Sequence, residues 1–474
     1  MTENAEITDS HGWTEDAYKK KPSRLNSIVF FLTCFIPIFA SLIFGAVSTG
    51  TLAILTFLTG VLLFFWFIDS WKNKRVTLST DSLQLPIIGL ILIGLIQLIP
   101  IWSYNFSSEL LSIPATGALS LDPNSTKLAV VKLCIFLVIF AITLSNLNSG
   151  KRLKIVVFTV IIFAAVMAFI GILQNLASPS FIYGLREVDY ANPFASYVNR
   201  HHFAAFMEMT IGLTLALLVG RGIAKDKRLL LVIAILLMGI AIIFTSSRGG
   251  FLSLIGVIGF IVLINTLVKG KTVKEGDSKT GITKNSLSLI GGSLGLVAVL
   301  IVAVIWLGGD DSVTRGVGLQ SGGDDFSNGR IHFWSTSLQI IRDNPVFGTG
   351  LESFGVAFTK YDTWNGTARV EQAHNDYLQT LTDSGIIGFI CIAFFVFLLF
   401  RKSFRLIKST PNIFRRHVAI GALAGCFGIL IHSFVDFPLR TNANMLFFLI
   451  LVALATVPIK YPKLYRKPTL VRSE

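Results

Sequence analysis

Charged residues are scarce in this chain. Asp, Glu, Lys and Arg make up 14% of its 474 residues, whereas hydrophobic residues make up 53%. This composition excludes a water-soluble protein of several domains. Apolar runs recur that can cross a hydrocarbon core, which takes about 20 residues in a helix. We predict an all-α polytopic membrane protein with about twelve transmembrane helices, at residues 27–45, 50–69, 83–102, 127–146, 154–174, 204–220, 229–245, 250–268, 287–308, 380–400, 418–435 and 443–459.

Cysteine is also rare, and several catalytic motifs are absent. All four cysteines fall within predicted spans, so we expect neither a disulfide nor a cysteine-based metal site. The sequence has no Walker A loop, no G-x-S-x-G turn and no D-x-D carboxylate pair of the kind that holds a metal for sugar transfer. We therefore predict a reaction without a metal or another cofactor, driven by the energy of the substrate itself.

Basic residues are distributed unevenly along the chain. With the N-terminus placed inside, seven inside segments contain 30 of the 41 Lys and Arg residues, in agreement with the positive-inside rule. The net charge of +14 therefore indicates topology and attraction to membrane lipid rather than nucleic-acid binding. We predict a cytoplasmic tail at 1–26, a transmembrane domain at 27–459 and a basic cytoplasmic tail at 460–474.

One outer segment is much longer than the others. Residues 309–379 precede the predicted tenth span and begin with a Gly/Asp-rich stretch, 308–325, which we predict to be a flexible lid. Ile331–Arg342 is predicted to form an amphipathic helix on the membrane surface, with Trp334 as an interfacial anchor. The inside segment 269–286 has the composition of a disordered linker.

The segment Ser246-Ser247-Arg248-Gly249-Gly250 places an arginine on the outer face, where basic residues are few. The glycines allow a ligand to approach the backbone, and the helix that begins here directs its free N–H groups to the same place. Guanidinium binds phosphate oxygens through two parallel hydrogen bonds. The segment predicts a phosphate or diphosphate site. The alternative is an arginine that snorkels from a helix end to the interface.

His374 lies just before the predicted tenth span, in a cluster of polar residues that extends to Gln379. Histidine is the side chain best suited to accept a hydroxyl proton near neutral pH. Asp376 either orients His374 or caps the helix. The alternative is that His374 is structural or solvated.

Four further polar residues lie in outer segments. Arg330 is a second outer cation, able to share a diphosphate with Arg248 unless it is simply solvated. His432 and Asp436 are four residues apart and are predicted to share one helix face, either as a functional pair or as a packing pair. Arg200 precedes two adjacent histidines, but no third ligand at a fixed spacing accompanies them, so we predict no metal site there.

The second half of the chain resembles the O-antigen ligase/polymerase superfamily of bacterial inner-membrane glycan transferases. The resemblance includes the position of the large loop before the tenth span. It is carried by Ser247-Arg248-Gly249-Gly250, Gly329-Arg330 with Trp334, Asn344–Gly350 leading to Phe354, His374–Gln379 with Asp383-Ser384-Gly385 and Gly388, His432–Phe437, and Asn199 with His202-Phe203-Ala204.

The resemblance implies an inverting transfer, independent of metal and ATP, of a glycan from undecaprenyl diphosphate at the periplasmic face. By similarity, Arg248 and Arg330 bind the diphosphate, and His374 is the general base on the acceptor hydroxyl. Asp436 is similar to an acidic residue that matters in the ligases. We expect supporting roles for Asp436 and for Asn375, Tyr377, His432 and Arg200.

The acceptor is left open by the sequence. A ligase transfers the glycan to lipid A–core, a polymerase transfers it to another lipid-linked repeat unit, and a third branch transfers it to protein hydroxyls. An alternative of a different class is a transporter of lipid-linked glycan. The spans argue against it, because Lys132 and Glu208 are predicted near span ends and no internal repeat is present.

Overall fold

The computed structural model describes residues 23–100, 117–188, 191–220, 222–269, 329–364 and 369–459. Helices dominate this part of the chain. In chain order they are α1 (Arg24–Leu42), α2 (Thr49–Lys72), α3 (Gln84–Gln97), α4 (Pro123–Asn146), α5 (Gly150–Ala177), α6 (Arg200–Val219), α7 (Arg228–Phe244), α8 (Arg248–Lys269), α9 (Arg330–Asp343), α10 (Phe354–Tyr361), α11 (Asp376–Ser409), α12 (Ile413–His432) and α13 (Asn442–Thr456).

Three short 3₁₀ turns and one small hairpin complete the regular structure of the described residues. The turns are Phe44–Ala46, Lys225–Lys227 and Pro438–Arg440. The hairpin pairs β1 (Phe181–Ile182) with β2 (Arg186–Glu187) in antiparallel register.

The described helices confirm an all-α polytopic membrane protein. Nine of them are long and apolar enough to cross a membrane: α1, α2, α4 to α8, α11 and α12, with α7 extended by the preceding 3₁₀ turn. The predicted spans at 83–102 and 443–459 correspond to the shorter apolar helices α3 and α13. The predicted span 287–308, the linker 269–286 beyond its first residue, the lid 308–325 and the tail 460–474 lie outside the described residues.

The centre of the bundle is formed by α6 and α12. In the apolar window of α6, 89% of residues are buried, against 22% in α2, which therefore lies at the periphery. Glycines allow the two central helices to approach closely, because a Cβ atom at Gly212 would lie 2.7 Å from the backbone nitrogen of Gly425. The central pair is thus packed tightly enough to give its ends fixed positions.

Helix α11 is broken near its start. Gly385 has φ 60° and ψ −164°, which interrupts the helical hydrogen bonds. The segment 345–350 replaces them, because Thr349 N donates to Thr382 O at 2.8 Å and Ile386 N donates to Pro345 O at 2.9 Å. Backbone groups in a membrane protein must be satisfied internally. The break therefore fixes this segment against the first three turns of α11.

Gln97, the last residue of α3, secures the same junction. Its side-chain nitrogen donates to Phe347 O at 2.6 Å and to Asp383 O at 2.9 Å, and its side-chain oxygen accepts from Leu351 N at 2.9 Å. One buried amide thus joins α3, the segment before α10 and the broken helix.

The predicted loop helix Ile331–Arg342 is present as α9, Arg330–Asp343. It packs with α10 around a small separate core formed by Ile340, Phe354, Ala357, Phe358 and Ala373. Trp334 does not act only as an apolar anchor, because its indole N–H donates to the carbonyl of Ala373 at 3.1 Å. This bond fixes α9 beside the residue that follows, His374.

Candidate active site

Several helix ends meet at one end of the bundle. The start of α8 contacts the start of α6, since a Cβ atom at Gly250 would lie 3.0 Å from the Cβ of Ala204. The start of α11 is bonded to the end of α12 through Asp376 N and Ser433 O at 2.9 Å. The start of α13 is bonded to α6 through Asn444 and the carbonyl of His202 at 2.9 Å. Segments that are far apart in sequence, and that are predicted to be outer, are therefore brought together.

His374 is paired with Asp436 at this end. Its Nδ1 lies 3.3 Å from Asp436 Oδ1, and the edge of its ring contacts Phe437. The His374 side chain is 34% exposed, whereas that of Asp436 is 2% exposed. The imidazole therefore has one nitrogen on a buried carboxylate, and part of its ring stays open to the surface.

The carboxylate next to His374 is not the one suggested by sequence. Asp376 neither orients His374 nor caps the helix, because its Oδ2 accepts from Ser433 Oγ at 2.8 Å. The capping residue is Asn375, whose side chain accepts from Tyr377 N and Leu378 N. A carboxylate at the first position of a helix does not reach back to the residue before the cap, so the orienting group comes from another segment.

Asn375 and Tyr377 attach the start of α11 to the end of α12. Asn375 Nδ2 donates to Phe434 O at 3.0 Å, and Tyr377 OH donates to Leu430 O at 2.7 Å. Both side chains bond backbone carbonyls close to Asp436. They hold His374 and Asp436 in one rigid unit.

The environment of Asp436 favours its ionised form. Burial raises the pKa of Asp436, but the hydrogen bond with His374 and the nearby imidazoles of His201 and His202 outweigh burial and hold that pKa below its ordinary value. Its Oδ1 also accepts the backbone N–H of Phe437 at 2.9 Å. An ionised carboxylate beside Nδ1 keeps the imidazole proton there, which leaves Nε2 free to accept a proton.

One of the two predicted arginines, Arg330, approaches the same carboxylate, and the other, Arg248, lies near Arg330. Arg330, the first residue of α9, has Nη2 at 4.0 Å from Asp436 Oδ2. Burial lowers the pKa of Arg330, the charge of Asp436 raises it, and the charge of Arg248 lowers it again. The two guanidinium groups are therefore close enough to repel one another. Such a pair is suited to binding a doubly charged anion.

The turn that carries Arg248 has a strained entry and a capped helix start. Ser246 has φ 49°, a left-handed conformation, and Ser247 Oγ accepts from Gly250 N at 3.2 Å. Arg248 begins α8, so the positive end of the helix dipole lies beside its guanidinium. Arg248, Arg330, His374 and Asp436 together are called the His374 cluster below.

His432 does not pair with Asp436 as predicted. Helix α12 ends at His432, so Asp436 lies beyond the helix and not on its face. His432 Nδ1 instead lies 3.2 and 3.1 Å from the two carboxylate oxygens of Glu208. Glu208 was predicted near the end of a span, but it lies eight residues after Arg200 in a 20-residue helix. A carboxylate within an apolar span was the signal that could have identified it.

Lys132 is also inside a span rather than near its end. It lies nine residues after Pro123 in the 24-residue α4, and its Nζ is 2.8 Å from both carboxylate oxygens of Glu352. Arg440 forms a second ion pair nearby, with Nη2 2.8 Å from Asp383 Oδ2. The first pair joins α4 to the segment before α10, and the second joins the broken helix to the 3₁₀ turn Pro438–Arg440.

Of the two histidines after Arg200, His201 is bonded through its backbone N–H and His202 through its ring. Asn199 caps α6, which begins at Arg200, and its side chain accepts from His201 N. His202 Nδ1 lies 2.6 Å from Thr441 Oγ1. Within the described ranges, no group of three or more His, Cys, Asp or Glu side chains is arranged to hold a metal ion.

Phe333 is a site neighbour that the sequence did not reveal. Its ring stacks on the His374 ring, with centroids 5.9 Å apart and an interplanar angle of 25°. It also meets the edge of Trp364, which in turn stacks on His332 with centroids 4.3 Å apart. Aromatic residues of α9 and α10 are core residues by pattern, so only the tertiary structure places one beside the histidine.

The arrangement combines a hydroxyl-activating group with an anion site. His374 has the orientation and the partner that a general base requires. Arg248 and Arg330 provide fixed positive charge within the same cluster, where negative charge on a leaving group would be stabilised.

Comparison with known proteins gives one finding. Residues 233–393 match the family described as O-antigen ligase. The matched range contains Arg248, Arg330 and His374, while Asp436 and His432 lie beyond it. No curated protein matches the chain.

Proposed function

We propose that the chain, whose residues 233–393 match the O-antigen ligase family, transfers a glycan from undecaprenyl diphosphate to an acceptor hydroxyl. The observation that carries this proposal is the geometry around Asp436: His374 lies at 3.3 Å and Arg330 at 4.0 Å from the same carboxylate. The Asp436 carboxylate thus holds a base and an anion-binding cation together. Glycosyl transfer from a diphosphate requires both groups at one place.

In the proposed reaction, the acceptor hydroxyl gives its proton to Nε2 of His374. The acceptor oxygen attacks the anomeric carbon and forms the new glycosidic bond on the face opposite the diphosphate. The bond between that carbon and the diphosphate oxygen breaks, and undecaprenyl diphosphate leaves with the electron pair. Arg248 and Arg330 stabilise the added negative charge, and Asp436 stabilises the imidazolium. The configuration at the anomeric carbon is inverted.

We place this reaction at the periplasmic face of the bacterial inner membrane, with both termini in the cytoplasm. The support is the distribution of basic residues, because 30 of 41 lie in segments assigned to the other face. For the acceptor, we propose lipid A–core, with a second lipid-linked repeat unit or a protein hydroxyl as the alternatives.

The test uses purified protein, a glycan on undecaprenyl diphosphate and lipid A–core, with products separated by size and identified by mass. Wild-type protein is expected to form glycosylated lipid A–core, and His374→Ala, Arg248→Ala and Arg330→Ala are expected to lose it. Arg342→Ala is the matched control on α9, because its side chain is 78% exposed and pairs with its neighbour Asp343. Full transfer by the three cluster variants would contradict the mechanism.

The same preparations separate the alternatives. Growth of the lipid-linked glycan without lipid A–core would indicate a polymerase. Movement of intact lipid-linked glycan across proteoliposomes, without new glycosidic bonds, would indicate a transporter. A transporter is favoured by the presence of ionisable residues within two separate spans, Lys132 in α4 and Glu208 in α6.

A further inference from the structure

A pair of ionisable side chains is buried at the core of the bundle, outside the proposed reaction. Glu208 of α6 and His432 of α12 are both 0% exposed. Both carboxylate oxygens of Glu208 lie within hydrogen-bond distance of His432 Nδ1. This two-oxygen contact fixes the plane of the imidazole ring.

The opposite edge of the His432 ring faces the Arg248 turn. A Cβ atom at Gly249 would lie 2.7 Å from both Nε2 and Cδ2 of His432, so the ring occupies the space that a side chain would need. His432 Nε2 is buried and has no hydrogen-bond partner among the described residues. The ring therefore acts on the turn through its shape and position.

His432 is connected to the other half of the His374 cluster as well. Its carbonyl oxygen accepts the backbone N–H of Asp436 at 3.1 Å. The next residue, Ser433, accepts from Asp376 N and donates to Asp376 Oδ2. One residue thus contacts the turn that carries Arg248 and the segment that carries the carboxylate beside His374.

Stability alone does not account for such a pair. Desolvation of two ionisable groups offsets most of their attraction, and apolar side chains of similar size are often at least as stabilising. Ionisable residues within membrane helices are therefore functional candidates. This pair lies behind Gly249, and its position indicates that it acts on the turn that carries Arg248.

We propose that Glu208 and His432 are a positioning pair that sets Arg248 at the correct distance from the rest of the His374 cluster for binding the diphosphate. This inference rests on the proposed function, since Arg248 is the group through which the pair acts. Glu208 fixes the His432 ring, the ring fixes Gly249, and Gly249 fixes the guanidinium next to it.

The test measures the affinity of the full-length protein in nanodiscs for undecaprenyl diphosphate. Glu208→Gln keeps the shape of the side chain and removes its charge, and we expect it to raise Kd about fivefold. In an Arg248→Ala background, the same substitution is expected to have no further effect, because the group it positions is absent. Equal effects in both backgrounds, or an unchanged Kd in the single variant, would overturn the proposal.

Thr210→Val is the matched control. Thr210 is buried two residues from Glu208, and its hydroxyl donates to the carbonyl of Phe206 in its own helix. It is expected to leave Kd unchanged. If Glu208→Gln does not fold, Gly249→Ala tests the same contact from the other side, because its Cβ atom would push the turn away from His432. It is expected to raise Kd to a similar degree, and an unchanged Kd would overturn the proposal.

A transfer assay adds a readout that simple loss of structure would not reproduce. Glu208→Gln is expected to raise KM for the lipid-linked donor and leave KM for the acceptor unchanged, whereas partial unfolding would lower kcat alone. If wild-type protein binds undecaprenyl diphosphate but transfers no glycan, the proposed function fails and the positioning pair is still judged by Kd. If wild-type protein does not bind it, both proposals fail.

Discussion

Arginines lie at both ends of the helical bundle, but the two ends use them differently. At one end is the His374 cluster. At the opposite end, Arg152 of α5 donates to Asn26 Oδ1 at 2.6 Å and to Asn146 Oδ1 at 3.0 Å, and it lies over the ring of Phe30. Arg152 is 6% exposed. Its partners are neutral amides that occupy its donors and close the end of the bundle.

Arg330 shows the contrast. Its side chain is 21% exposed, and the carboxylate oxygen Oδ2 of Asp436 is at 4.0 Å, beyond hydrogen-bond distance. Arg152 is bound by the protein, whereas Arg330 is held near a charge and close to the surface. Burial of an arginine therefore does not by itself identify an anion-binding site. A nearby base, a second arginine and an accessible face do.

The largest expected effect is that of His374→Ala. Removing a general base reduces the rate by about 10²- to 10⁴-fold. We expect a fall in kcat of this size, measured as glycan transfer at saturating donor. His417→Ala, on a half-buried histidine near the start of α12, is expected to change kcat little. Comparable losses of kcat in the two variants would contradict the assignment of the reaction to the end that contains His374.

The next effect compares one arginine from each end. Arg330→Ala is expected to reduce kcat/KM for the donor by about 10²- to 10³-fold, as for loss of one group that stabilises transition-state charge. The same variant is expected to keep a wild-type Tm. Arg152→Met is expected to do the reverse, lowering Tm because Asn26 and Asn146 lose their buried partner while kcat/KM of the folded protein is kept.

A smaller effect is expected at Gln97, which supports the site indirectly. Gln97→Leu leaves buried backbone groups of Phe347, Asp383 and Leu351 without their partner, at a cost of about 1–3 kcal/mol per group. We expect a lower Tm and a weaker loss of transfer than in His374→Ala. Gln84→Leu, at the other end of the same helix, is the control and is expected to leave transfer intact.

The smallest effect concerns pH. The folded protein holds the pKa of Asp436 below its ordinary value, so its ionised form stabilises the fold above the ordinary aspartate pKa, about 3.9, and this stabilisation is lost as the pH falls toward the lowered pKa. The Tm difference between wild-type protein and Asp436→Asn is expected to be constant from about pH 8 to pH 5 and to shrink below about pH 4. A difference that shrinks between pH 8 and pH 6 would contradict this assignment.

Much of the architecture could be predicted from the sequence because hydropathy acts locally. Each apolar run indicates a membrane helix by its own composition, so the helices lie close to the predicted spans. The loop helix begins and ends within one residue of the predicted bounds. The sequence also allowed identification of Arg248, Arg330 and His374, since each lies in a short polar segment between apolar runs.

The pairings could not be predicted because they join distant segments. His374 and Asp436 are 62 residues apart, and Glu208 and His432 are 224 residues apart. Local spacing favoured Asp376 as the partner of His374 and Asp436 as the partner of His432. Both assignments were wrong, because α12 ends at His432 and the following turn carries Asp436 across to His374. The break at Gly385 was hidden for a similar reason, since its replacement hydrogen bonds come from segment 345–350.

We have proposed that the end of the bundle containing the His374 cluster binds the diphosphate of a lipid-linked glycan. The most direct measurement is a cryo-EM map of the protein in nanodiscs with undecaprenyl diphosphate. We predict density for the two phosphates between the guanidinium groups of Arg248 and Arg330, within hydrogen-bond distance of both. Phosphate density beside Arg152 at the opposite end, or at a place away from both arginines, would contradict the account.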